Sequence, residues 1–214
     1  WAGEYAILEP GQLALIKAIP IYMTAEIESS EVYRLYSDMF SYSVDLRPDS
    51  SYALIQETVA LVEEYLTAQG VELHPFSLEI RGKMESEGKK FGLGSSGSVV
   101  VLVIKAMLAF YERLADRELL FKLASAVLLK RGDNGSMGDI ACIVSEDLVL
   151  YQSFDREKVA DWLEKEDLQA VLARDWGFSI RSVEPALKFD FLVGWTKEVA
   201  VSSHMVKQIK ENMN

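Results

Sequence analysis

The segment richest in potential chemistry is Lys89-Lys90-Phe91-Gly92-Leu93-Gly94-Ser95-Ser96-Gly97-Ser98, a glycine–serine run that opens into a long apolar stretch. Glycines let backbone approach a ligand closely and take positive φ. A helix starting there presents free N–H groups and the positive end of its dipole to an anion. The serine hydroxyls can bond phosphate oxygens or complete the shell of a magnesium ion, which takes few protein ligands. Gly92, Gly94 and Gly97 also fit G-x-G-x-x-G, but a dinucleotide fingerprint follows a buried strand. Here Arg81, Lys83, Glu85, Glu87, Lys89 and Lys90 precede it, which reads as a solvated loop. A P-loop closes on Lys-Ser or Lys-Thr, whereas Ser98 leads straight into Val99. An anion site remains, set against a bare glycine turn before a buried helix.

A second focus is Gly135-Ser136-Met137-Gly138-Asp139. Its small residues form a tight turn that can set a carboxylate beside a phosphate acceptor; equally, Asp139 can cap the element that follows. Lys89 and Lys90 either add charge to the glycine loop or are a solvated pair. Lys130 and Arg131 either supply local positive charge or end a helix favourably. Arg131-Gly132-Asp133 and Asn134-Gly135-Ser136 match extracellular motifs that the composition opposes. With only two histidines in the chain, isolated His74 makes a histidine metal site improbable.

The elements that must position these groups mix strands and helices without strict βαβ alternation, which favours α+β over a doubly wound parallel sheet. Alternation predicts strands over Ile21–Ile27, Val32–Tyr36, Phe40–Leu46 and Phe76–Ile80. Helical spacing predicts Tyr52–Gln69, ending at Gly70, then a buried helix Ser98–Arg113 and another over 119–130. Beyond the turn at 132–138 come strands Ala141–Val144 and Leu148–Tyr151, helices Asp155–Lys165 and Leu168–Arg174, strands Phe178–Val183 and Phe189–Trp195, and a last helix Ser202–Met213.

At 214 residues, half of them hydrophobic, the chain can bury a sizeable core. Its net charge of -11 argues against a general nucleic-acid binder, because backbone affinity needs clustered Lys and Arg. Cys142 is the single cysteine, so no internal disulfide framework or thiolate metal cluster is possible. Together with the lack of a secretory signal or a long apolar run, this predicts a cytoplasmic protein without a membrane span.

The order Gly92-Leu93-Gly94-Ser95-Ser96-Gly97 before an apolar helix resembles the second motif of the GHMP kinases, with Gly97 where alanine is usual. Trp1–Leu8, Gly135–Asp139 and Val193–Ala200 further resemble the phosphomevalonate kinases of Gram-positive cocci. The resemblance implies the α+β GHMP kinase N-terminal domain, similar to the second domain of ribosomal protein S5, over 1–185, with the start of a C-terminal domain over 186–214. It implies ATP and Mg2+ as cofactors and 5-phosphomevalonate as the small-molecule substrate, giving 5-diphosphomevalonate. Another GHMP kinase, such as mevalonate kinase, is the nearest rival; a non-catalytic nucleotide-binding fragment is the other.

By position, the resemblance places Lys90, Gly92, Leu93, Gly94, Ser95, Ser96, Gly97 and Ser98 on ATP, with Ser96 as metal ligand. Asp139 becomes the catalytic base or the group that orients the acceptor. Ser136, Lys197, Ser202, Ser203 and His204 fall on the substrate side, although His204 could equally be a surface or cap residue. A second magnesium ligand, a glutamate in mevalonate kinases, has no counterpart in Ala126-Val127-Leu128-Leu129. An upstream Gly-Lys and a C-terminal domain with a third glycine motif belong to the family pattern. Their absence reads as a fragment, expected to be a poor catalyst by itself and to expose apolar surface.

Overall fold

The computed structural model describes residues 3–82, 85–86, 89–90, 95–187 and 192, with backbone alone at 85–86 and 89–90. After a 3-10 turn at Ala6–Leu8 come β1 (Leu13–Lys17), β2 (Thr24–Ser29), β3 (Arg34–Ser37), β4 (Ser43–Val44) and α1 (Ala53–Ala68). β5 (Phe76–Arg81), β6 (Glu85–Ser86) and β7 (Lys89–Lys90) lead to α2 (Ser95–Phe110), α3 (Arg117–Lys130) and α4 (Gly138–Ser145). β8 (Leu148–Gln152), α5 (Arg156–Lys165), α6 (Leu168–Ala173) and β9 (Ser179–Ser182) follow. One sheet runs β1-β8-β9, antiparallel throughout. The other runs β2-β5-β3-β4, with a parallel pairing between β3 and β5. The fold is α+β.

α2 is the hub. Val100, Val103, Ile104 and Met107 have no exposed surface, and the helix touches α1, α3, α4 and β2. A helix apolar on nearly every side belongs in the middle of a fold rather than on its surface. Around it, local chemistry fixes the helix starts. Asp116, Asp155 and Asp167 are N-caps whose carboxylates accept the N–H groups of Leu119, Lys158 and Ala170 at 2.8, 3.0 and 2.9 Å. Each satisfies a donor that the first helical turn leaves unpaired. α1 uses a longer-range device: Asp49 accepts from the N–H groups of Ser51 and Tyr52. Gln56 donates back to the carbonyls of Asp45 and Arg47.

Several expectations are corrected. Ala141–Val144 is not a strand but the middle of α4. Ile140, Ala141, Cys142 and Val144 are all buried, so the run shows no helical stripe, and five apolar residues carry no period that separates helix from strand. Conversely, Leu13–Lys17 is a full strand that pairs residue for residue with β8. Its near-continuous apolar run hides the alternation. α2 begins at Ser95, three residues earlier than Ser98, because its first turn is polar. The supposed loop at 81–90 holds the antiparallel pair β6–β7, and within Phe40–Leu46 only Ser43–Val44 is strand. The predicted strand Phe189–Trp195 and helix Ser202–Met213 lie outside the described residues.

One buried charge ties the layers together. Lys122 of α3 is 5% exposed; its Nζ donates to the carbonyls of Leu172 and Arg174 at 3.0 and 2.9 Å and meets Glu118 at 2.8 Å. It thereby closes the C-terminal end of α6, whose last carbonyls would otherwise face apolar surroundings. Lys122→Met keeps the stem but strands those carbonyls, and is expected to cost about 2–3 kcal/mol. Chemical denaturation of the variant against the parent measures it.

Candidate active site

α2 and α4 lie side by side and parallel. Near their starts, a Cβ built on Gly97 would stand 2.8 Å from Ile140 Cδ1 and 3.0 Å from Asp139 Oδ2. About two turns on, Lys105 Nζ of α2 meets Glu146 at the end of α4 at 2.6 Å. Both helices therefore start at the same place. Their positive dipole ends converge beside the Asp139 carboxylate, with the α4 start engaged locally by Ser136 and Asp139. An anion bound there would relieve the mutual repulsion of two parallel dipoles, and the first turn of α2 offers Ser95, Ser96 and Ser98.

The turn before α4 aims Asp139. Asp133 Oδ1 accepts the Gly135 N–H at 2.6 Å, and Ser136 Oγ accepts the Gly138 N–H at 3.2 Å. From below, the buried Tyr151 of β8 donates its hydroxyl to the Ser136 carbonyl at 2.9 Å. Gly138 lets β1 approach: a Cβ there would stand 2.7 Å from Ile16 Cδ1. Between them Met137 is buried with φ 62° and ψ 14°, left-handed for a residue that is not glycine. That conformation costs about 1–2 kcal/mol, and such strain concentrates where geometry serves function.

α2 and α4 wall a cleft of about 790 Å³, closed on the third side by Ile16–Met23. Each helix contributes positions i, i+3, i+4 and i+7: Ser98, Val101, Leu102 and Lys105 from one, Asp139, Cys142, Ile143 and Glu146 from the other. Asp139 is reached by solvent, yet protein mass surrounds it on the cleft floor. That crowding raises its carboxyl above the ordinary range. Asp133 pushes the same way, while the Ile140 N–H, 2.9 Å from Oδ1, pulls it down. Burial pushes the Cys142 thiol to about 11, so it stays protonated and is no nucleophile. Among the described residues no cluster of three His, Cys, Asp or Glu could hold a metal.

The structure thus brings Ser95, Ser96, Gly97 and Ser98 together with Asp139, and places Ser136 in the turn that carries it. Asp139 does not cap α4 from outside; it lies within the first turn, after Met137 at the cap. Lys90 is described only as backbone in β7. Gly92, Leu93, Gly94, Lys197, Ser202, Ser203 and His204 lie outside the described residues. Lys130 and Arg131 are turned to α1, where they meet Glu64 and Glu57. His74 packs on Phe110 and Tyr111 at the far end of α2, roughly 20 Å from its start.

Sequence reading missed Met137, Tyr151, Lys17 and Lys105 as parts of this site. Only Lys105 left a signal, as the lone charge within Val99–Phe110.

The raised carboxyl of Asp139 has a consequence for stability. The folded chain holds that proton more tightly than the unfolded chain, so its stabilising effect is complete below the unfolded value. It is lost as pH rises through the folded value. Asp139→Asn cannot ionise. It is expected to match the parent near about pH 3 and to exceed it in stability towards about pH 7, read as urea midpoints across that range.

Residues 53–147 match the family described as GHMP kinases N terminal domain. The chain is 73% identical to a Streptococcus pneumoniae phosphomevalonate kinase solved in complex with phosphomevalonate and AMPPNP, with a TM-score of 0.97 over 100% of this chain and 65% of that one. It is 31% identical to the Lin0012 protein of Listeria innocua, with a TM-score of 0.90 over 99% of this chain and 62% of that one. A phosphomevalonate kinase of Streptomyces sp. (strain CL190) is 26% identical over 231 residues, covering 97% of this chain and 62% of that protein. The chain spans a little under two thirds of the length of each of these relatives. With the glycine–serine helix start, the carboxylate beside it and this agreement in sequence and fold, residues 53–147 carry the GHMP kinase N-terminal domain.

Proposed function

We propose that the chain is part of an ATP-dependent phosphotransferase, a phosphomevalonate kinase of the mevalonate pathway of isoprenoid biosynthesis. It transfers the γ-phosphate of ATP to 5-phosphomevalonate, giving 5-diphosphomevalonate and ADP. The observation that carries this reading is the convergence of the α2 and α4 starts on the Asp139 carboxylate. The choice of acceptor rests on the Streptococcus pneumoniae relative, whose structure holds phosphomevalonate and AMPPNP.

Ser95, Gly97 and Ser98, with Lys90, Gly92, Leu93 and Gly94, hold the nucleotide phosphates through backbone N–H groups and hydroxyls. Magnesium fits the donor set of an exposed Ser96 hydroxyl with few carboxylates nearby, since this ion keeps water and phosphate as most of its shell. When bound, it neutralises charge on the phosphate oxygens. Asp139 orients the acceptor phosphate or takes its proton, aided by a carboxyl poised above the ordinary range. An oxygen of that phosphate bonds to the γ-phosphorus as the bond to the ADP oxygen breaks. The acceptor is already acidic, so positioning and charge neutralisation dominate the rate.

Ser136, Lys197, Ser202, Ser203 and His204 form the substrate side in this reading. Residues 1–185 constitute the ATP-binding domain, which accords with the family match inside it, and 186–214 open a second domain. ATP as donor accords with a cytoplasmic location, and no helix among the described residues is long and apolar enough to cross a membrane.

An assay of ADP release with each acceptor in turn tests the assignment. Turnover with 5-phosphomevalonate and none with mevalonate is expected, and Asp139→Asn should lower kcat by about 100-fold. Turnover with mevalonate alone would sink it. ATP binding by calorimetry with no ADP released from either acceptor would mark a nucleotide-binding protein instead.

A further inference from the structure

Gly97 stands where the resembling motif carries alanine, and its surroundings give the missing methyl a purpose. The glycine is buried in the first turn of α2, facing the first turn of α4. A Cβ there would come within 2.8 Å of Ile140 Cδ1, 3.0 Å of Asp139 Oδ2 and 3.4 Å of Ile143 Cδ1. Carbon atoms pack at about 3.5–4.0 Å, so the first of these contacts is closed to any side chain and the second is tight. The Ile140 methyl is the far end of a flexible chain and can swing. The Asp139 carboxylate has less freedom, because Oδ1 is engaged with the Ile140 N–H at 2.9 Å.

The α4 backbone behind it is also fixed. Gly138 is wedged against Ile16 and Ser136, and Tyr151 holds the Ser136 carbonyl. A Cβ at Gly97 would therefore push chiefly on Oδ2, the carboxylate oxygen left facing the anion site. We infer that Gly97 is a positioning residue for the transfer reaction: by lacking a side chain it lets Asp139 stand a few tenths of an ångström closer to the first turn of α2 than alanine would allow. This rests on the phosphoryl-transfer reading above for its effect on rate, but not for its effect on geometry.

The test is Gly97→Ala, alone and combined with Ile140→Val, which removes the Cδ1 atom nearest the new methyl. Displacing a catalytic group by a few tenths of an ångström is expected to lower kcat by about 3- to 10-fold. KM for ATP should change less than twofold, because the backbone donors that hold phosphate remain. Adding Ile140→Val gives the new methyl room to settle away from Oδ2 and should restore at least half of the lost kcat. A crystal structure of the single variant should show Oδ2 displaced from its place in the parent. An unchanged kcat, a rise in KM for ATP that accounts for the whole loss, or an unmoved Oδ2 overturns the inference. If the parent itself releases no ADP, the position of Oδ2 in the variant still decides the packing claim.

Discussion

The proposed site depends on how closely two parallel helices can approach at their starts. α2 and α4 meet at Gly97, where no side chain intervenes between the α2 backbone and the Ile140 and Asp139 side chains. That contact aligns two helix dipoles, brings their positive ends to one place and sets a carboxylate beside them. It also makes the cleft, because helices in register show the same four-position face along their length, from Ser98 and Asp139 to Lys105 and Glu146. A looser or antiparallel contact would separate the two helix starts from the acid, and the proposed transfer needs both.

Parallel dipoles at close range repel, so the arrangement must be held from outside. α2 is held by burial, with apolar contacts to α1, α3 and β2 on its other sides. α4 is short and cannot rely on its own helical hydrogen bonds. Its start is pinned by the Tyr151 hydroxyl on the Ser136 carbonyl and by Gly138 against Ile16, so β1 and β8 act through the turn. Met137 in the left-handed region is the local cost of aiming the helix this way. The far end carries the Lys105–Glu146 pair, partly exposed and so worth little by itself.

Much of this was legible before any coordinates. The polar glycine–serine run ahead of an apolar helix points to an anion site at a helix start, and the helix does start within it, at Ser95. The Gly-Ser-Met-Gly-Asp turn likewise points to a placed carboxylate. What stayed hidden depends on partners distant in sequence. Tyr151 looks like an ordinary strand residue until its hydroxyl meets Ser136 across the fold. Leu13–Lys17 and Ile140–Val144 are both short apolar runs, yet one is an edge strand and the other a buried helix. Their tertiary surroundings decide this, not their period. The value of Gly97 was half visible: the departure from alanine can be read from the sequence, but its reason is an isoleucine and an aspartate more than forty residues on.

In the proposed reaction a chain of net charge -11 must hold polyanions. Lys17 and Lys105, the two lysines lining the cleft, are both paired, with Asp147 and Glu146, and Glu4 adds a further negative charge. What remains at the upper end is the pair of helix starts on one side and Asp139 and Asp133 on the other. An approaching phosphate is drawn by the fixed N–H groups, whose orientation costs nothing at the moment of binding. The same approach adds negative charge near Asp139, which Asp133 and the surrounding protein mass already push towards its protonated form. The carboxylate therefore gains proton affinity as the acceptor arrives beside it. In the proposed reaction, local backbone dipoles do the binding that surface lysines would do elsewhere, and burial with nearby negative charge is what makes Asp139 a fitting recipient for the acceptor's proton.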